Sequence, residues 1–157
     1  MGGPAMPYIE PMYDLILALH NFTRWLVLIA TVYVLWRSWR GLRSGRYQAL
    51  DRMAGVAFTS TVDLQLLLGI LLLAFSPLMQ NAWANLGAAM QNPGLRFFLA
   101  EHPVVMLAAA ILAHVGNARV RRAATDVLKH RQALLFYGLS TLLILLAIPW
   151  WRPWLRF

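Results

Sequence analysis

The sequence predicts an all-α membrane protein, a four-transmembrane-helix up-down bundle with the N and C termini outside. Three observations lead there. Apolar residues make up 60% of the chain and charged residues only 13%, against about 25% charged in an ordinary soluble domain. Four apolar runs, at about residues 13–36, 54–75, 98–118 and 133–150, each come close to the ~20 residues that cross ~30 Å of hydrocarbon. The basic residues concentrate between runs, with five arginines from Arg37 to Arg52 and five Lys or Arg from Arg119 to Arg131.

Each run should be a helix, because backbone groups in lipid must be satisfied within their own segment. The runs lack the alternation of a transmembrane barrel strand. Basic loops stay in the cytoplasm, so the loops after spans one and three face inward. The N-terminus, the loop from Ser76 to Phe97 and the C-terminus then face outward. Trp36 and Trp39 mark the inner end of span one, and Trp150, Trp151 and Trp154 mark the outer end of span four, as interfacial aromatics do. The first 14 residues, with Glu10 and Asp14 and no basic stretch, do not read as a signal peptide. Residues 1–157 form one domain, and no internal repeat is visible.

The long outer loop, SPLMQNAWANLGAAMQNPGLRF, suits a short surface helix, and Asn92-Pro93-Gly94 is a turn that opens the next one. Pro103 admits two outcomes. A helix starting at Pro93 should kink near Pro103; one starting near His102 holds Pro103 in its first turn.

Composition also excludes chemistry. The net charge of +8 lies in loops flanking spans, which is the membrane pattern and not a nucleic-acid patch. With no cysteine, disulfides, thiolate metal sites and covalent Cys-x-x-Cys-His haem are ruled out. HExxH, G-x-S-x-G and Gly-rich phosphate loops are absent too.

Ionisable residues inside spans are costly and are functional candidates by default. At 1.5 Å per residue, His20 lies about 8 Å and His102 about 5 Å below the outer edge, level within a turn. Arg24 lies about 14 Å deep and Asp63 about 18 Å, which suits a structural ion pair between spans one and two. His20 and Arg24 are four apart and share a face, so Arg24 is also placed to hold an anionic ligand group. In an up-down bundle, helices one and three are diagonal, and a histidine from each can meet an iron in the core. The plain alternative is two interfacial histidines whose polar tips reach water. Glu101 and Arg96 are near enough in sequence to support such a ligand or its propionates. His114 and His130 differ too much in level for a second haem, and His130, between Lys129 and Arg131, reads as a solvated loop residue.

The order and spacing of several motifs resemble a group of small bacterial four-helix membrane proteins of the cytochrome b-like type. The motifs are His20-x3-Arg24-Trp25, Gln65-x3-Gly69, Arg96-Phe97-Phe98-x2-Glu101-His102, the basic run Arg119–Arg122 and Ile148-Pro149-Trp150. The resemblance covers most of the chain. It implies a membrane haem-b protein with His20 and His102 as iron ligands. With one haem b, Arg24 and Arg96 are the expected propionate partners, and the expected location is the bacterial cytoplasmic (inner) membrane, multi-pass. Two functions follow as expectations. One is an electron carrier between the quinone pool and an outer-face redox partner, with quinone at the haem edge. The other is a cofactor-free accessory subunit of a larger respiratory or photosynthetic complex. Lipid, such a complex or a homo-oligomer are the expected partners; nucleic acid is not. A proton path through Asp63, Gln65 and Arg24 is weaker, since one carboxylate does not make a relay.

Overall fold

The apolar runs fold into helices that each begin before the run, and the first and third also extend beyond its end. The structure, a computed structural model, describes residues 9–152; residues 1–8 and Trp154 lie outside that range. The helices are α1 (Ile9–Ser44), α2 (Ala49–Phe75), α3 (Pro77–Ala84), α4 (Leu86–Gln91), α5 (Pro93–Arg96), α6 (His102–Arg122) and α7 (Asp126–Ala147). A π-helical turn, Phe97–Glu101, joins α5 to α6. Among the described residues, four helical stretches are long and apolar enough to cross a membrane: Pro11–Ser44, Ala49–Phe75, Pro93–Arg122 and Asp126–Ala147. Their outward surfaces carry large apolar side chains such as Ile29, Val32, Leu67 and Leu146. A water-soluble protein rarely leaves so much apolar surface bare. This is the pattern of a multi-pass membrane protein.

The core is built from small residues and one aromatic pair. Ala54, Ala109 and Ala113 are buried, and Phe58 and Tyr137 meet edge-on with ring centres 5.3 Å apart. Gly116 lies against Phe136 and Tyr137, and Gly55 against the Tyr137 hydroxyl. Small side chains let helix backbones approach closely, which supplies packing where lipid gives no hydrophobic drive. Ser140 donates across the seam to the Ala109 carbonyl at 2.8 Å.

The connection from α1 to α2 is only residues 45–48. Gly45, at φ +67°, closes α1 by donating its N–H to the Gly41 carbonyl at 2.9 Å, a left-handed cap that suits glycine. Arg37 then reaches over to Asp51 at 2.8 Å, with Asp51 buried. Burial, with the Asp51 carboxylate nearby, pushes the Tyr47 phenol above its ordinary value.

His130 departs from the sequence expectation. It is not a solvated loop residue: it sits in α7 and is fully buried. Its Nε2 lies 3.1 Å from the Arg46 carbonyl and its ring 5.1 Å from that of Tyr47. The reason is that α7 begins well before the apolar run. Thr125 caps it by accepting from the Leu128 N–H, and the added turns carry His130 against Gly41.

The chain also settles the Pro103 alternative. Helix starts at Pro93, and the strain is taken up by the π-helical turn, in which the His102 N–H donates to Phe97 O. Pro103 has no N–H to give, and its ring would crowd the carbonyl four residues back in a regular helix. The wider turn relieves both problems, and such turns mark functional positions often. The loop before it holds two short helices, α3 and α4, rather than one.

Candidate functional site

A cavity of about 190 Å³ lies where the first half of α1, the second half of α2, the start of α6 and the end of α7 come together. Most of its wall is aliphatic. Its polar lining comprises Tyr13, His20, Asn21, Arg24, Gln65, Ser76, His102 and Arg152.

Helical spacing explains who faces in. His20 and Arg24 are one turn apart on α1, as are Gln65 and Gly69 on α2. Gly69 leaves room for the imidazole: a Cβ there would touch His20 Cε1 at 3.4 Å. The Gln65 amide nitrogen lies 3.2 Å from His20 Nε2 and donates to the His20 carbonyl at 3.0 Å. The Gln65 carbonyl accepts from the Thr23 hydroxyl. His20 Nδ1 is left buried without a hydrogen-bond partner.

His102 follows directly on the π-helical turn. Its Nδ1 lies 2.8 Å from the Ala147 carbonyl. A carbonyl can only accept, so this nitrogen carries the proton and Nε2 keeps its lone pair. Phe97 and Phe98 flank the ring at 5.7 and 6.3 Å. The His20 and His102 rings stand 6.4 Å apart, centre to centre, at 70° to each other. The two histidines that sequence depth made level are therefore brought together.

The other residues sort less simply. Arg24 does line the cavity, with its guanidinium 5.8 Å from the Trp25 ring. Arg96 is not among the lining residues. It pairs with Glu101 at 2.7 Å, and both side chains are largely exposed. In its place Arg152 lines the cavity, stacked 4.3 Å over Phe98. Arg24 and Arg152 also border a small adjoining hollow with Trp25 and Pro149. Sequence reading missed Arg152 because it follows the last apolar run, where a basic residue looks like a membrane-edge anchor.

The expected Arg24–Asp63 pair does not form. Asp63 lies 2.7 Å from His114 Nε2 instead. Depth matched, but direction did not. Asp63 and Gln65 are two residues apart, about 200° around α2, so when Gln65 faces α1, Asp63 faces away. His114 and His130 lie in separate settings, one against Asp63 and the other against Gly41 and Tyr47. Among the described residues no group of three or more His, Asp or Glu gathers to hold a metal ion.

No protein-family model, curated protein or solved structure matches this chain.

Proposed function

We propose that the chain is a membrane haem-b protein that carries electrons between the quinone pool and a redox partner on the outer face. The observation that carries this reading is the facing of His20 and His102 across one cavity. Two imidazoles that ligate one metal from opposite sides have ring centres about 6–6.5 Å apart, given metal–nitrogen bonds of about 2.0–2.1 Å. The observed separation is 6.4 Å. The donor chemistry also fits. Each ring has one nitrogen engaged by the protein, through Gln65 or the Ala147 carbonyl, and His20 keeps a buried nitrogen with no partner. Outer contacts of this kind orient ligating histidines.

When bound, haem supplies one-electron transfer. His20 and His102 would be the residues that hold its iron, and with two imidazoles engaged the chemistry supplied would be electron transfer and not oxygen binding. To ligate through Nδ1, His20 would carry its proton on Nε2. The Gln65 amide would then turn over, exchanging its donation to the His20 carbonyl for acceptance from the ring and donating to the Thr23 hydroxyl. Arg24 and Arg152, which line the cavity, would hold the propionates, since a guanidinium matches a carboxylate in two parallel hydrogen bonds. Arg152 takes the part that the sequence assigned to Arg96. The aliphatic wall would keep water from the bound group, and a quinone would reach the rim through the bilayer.

The same reading orients the molecule. Spans run up and down, the arginine-rich loops lie in the cytoplasm, and the cavity lies toward the outer face of a bacterial inner membrane. A periplasm-dependent reporter fused at the C-terminus should be active. Activity of a cytoplasmic reporter there, with the periplasmic one silent, would invert the orientation.

Colour tests the function. Protein purified in detergent from haem-replete cells should be red, with a Soret band and an α-band that sharpens on reduction. A colourless chain that takes up no added haem and travels with a larger complex would favour the accessory-subunit role.

A further inference from the structure

The Asp63–His114 pair sits in an awkward place for a single chain. Asp63 is near the middle of α2 and His114 near the middle of α6. Both side chains point away from the bundle, at 48% and 55% exposure. Around them lie the exposed apolar residues Val56, Leu67, Ile70, Leu107 and Ile111. In a membrane this stripe faces hydrocarbon, with an ionisable pair at mid-depth. Such residues almost always face a bundle interior or a water-filled cavity, because hydrocarbon offers them no hydrogen bonds.

We propose that a second copy of this chain docks on this face of α2 and α6, with the two Asp63–His114 pairs against each other. The inference rests on the membrane reading and is independent of the haem. Hydrogen-bonding capacity favours a second copy as the occupant. One bond joins His114 Nε2 to Asp63 Oδ1. In its charged form His114 keeps an Nδ1–H to donate, and the carboxylate has a second oxygen to accept. The patch thus offers both a donor and an acceptor, as self-complementary pairing requires. Geometry favours it as well. A two-fold axis along the membrane normal makes an isologous interface and sets each residue at the same depth as its mate. Another protein would have to present a polar group at that same level, and a lipid headgroup does not reach mid-depth. Between the two copies His114 and Asp63 exchange hydrogen bonds, and the surrounding leucines, isoleucines and valines pack around them.

The chain has no cysteine, which makes the test direct. Single cysteines are placed at Val56, Leu67, Leu107 and Ile111, and as a control at Leu146 on α7, which is 68% exposed. Native membranes are oxidised with a lipid-permeable copper complex, and products are sized by denaturing electrophoresis and mass spectrometry. At least one of the four positions should give a covalent dimer of the chain, and Leu146→Cys should not. His114→Leu added to the best cross-linking variant should lower the dimer yield several-fold, with the protein still extracted as a folded monomer. The inference is overturned by three results: monomer at all four positions, equal yield at Leu146, or adducts only with a different protein. Haem content is measured in the same samples. A colourless dimer would sink the haem and leave the interface standing; a red monomer would do the reverse.

Discussion

Replacing His20 or His102 with alanine should abolish the low-spin haem spectrum, and His114→Ala and His130→Ala should preserve it in whatever protein folds. The expectation follows from position. Only His20 and His102 face the cavity, 6.4 Å apart; His114 is turned outward to Asp63 and His130 is enclosed beside Gly41. Loss of one imidazole leaves at most a five-coordinate, high-spin iron, so the change is qualitative. Haem-to-protein ratio and the optical spectrum, measured on each purified variant, separate the cases. A low-spin spectrum that survives loss of both His20 and His102 would move the site elsewhere.

The second large effect belongs to Gly41. A Cβ built there would lie 2.0 Å from His130 Cε1 and 2.2 Å from Nε2. Nothing in ordinary packing tolerates that distance, and the His130 ring is fully buried with little space to move. Overpacking of this kind typically costs about 1–3 kcal/mol and sometimes more; Gly41→Ala should fall at the upper end. His130→Ala alone should also destabilise, by leaving a void. The double variant should lose less than the sum, with a coupling of about 0.5–3 kcal/mol. Gly87→Ala is the control, since no atom lies within 4 Å of a Cβ there. Melting in detergent measures all four. Additive losses for Gly41 and His130 would mean that the two do not meet as described.

These cases show what a linear sequence reveals and what it conceals. Span number and the level of His20 with His102 were legible, because hydropathy and axial rise are one-dimensional quantities. Azimuth was the weak point. Arg24 and Asp63 agree in depth yet point to different neighbours, and only the position of Gln65 on the α1-facing side of α2 reveals it. His130 was misplaced because the apolar run marks where lipid begins and not where helix begins. The signal was present in Thr125-Asp126, a cap residue followed by an acid in the first turn. The π-helical turn ahead of His102 was legible only as a conflict between Pro93 and Pro103. How a helix absorbs such a conflict depends on what packs around it, here Phe97, Phe98 and the end of α7. Arg152 was out of reach, since its place at the cavity depends on how the chain turns after Ile148.

Electron paramagnetic resonance of the purified, oxidised protein tests the haem site most directly, because the signal reports both the number of imidazoles and their mutual angle. With His20 and His102 as ligands held near the observed 70°, the expected result is a highly anisotropic low-spin signal, integrating to one iron per chain and lost in His20→Ala and in His102→Ala. A high-spin signal in the unaltered chain, or no iron signal from protein supplied with haem, would contradict a bis-histidine haem in this cavity.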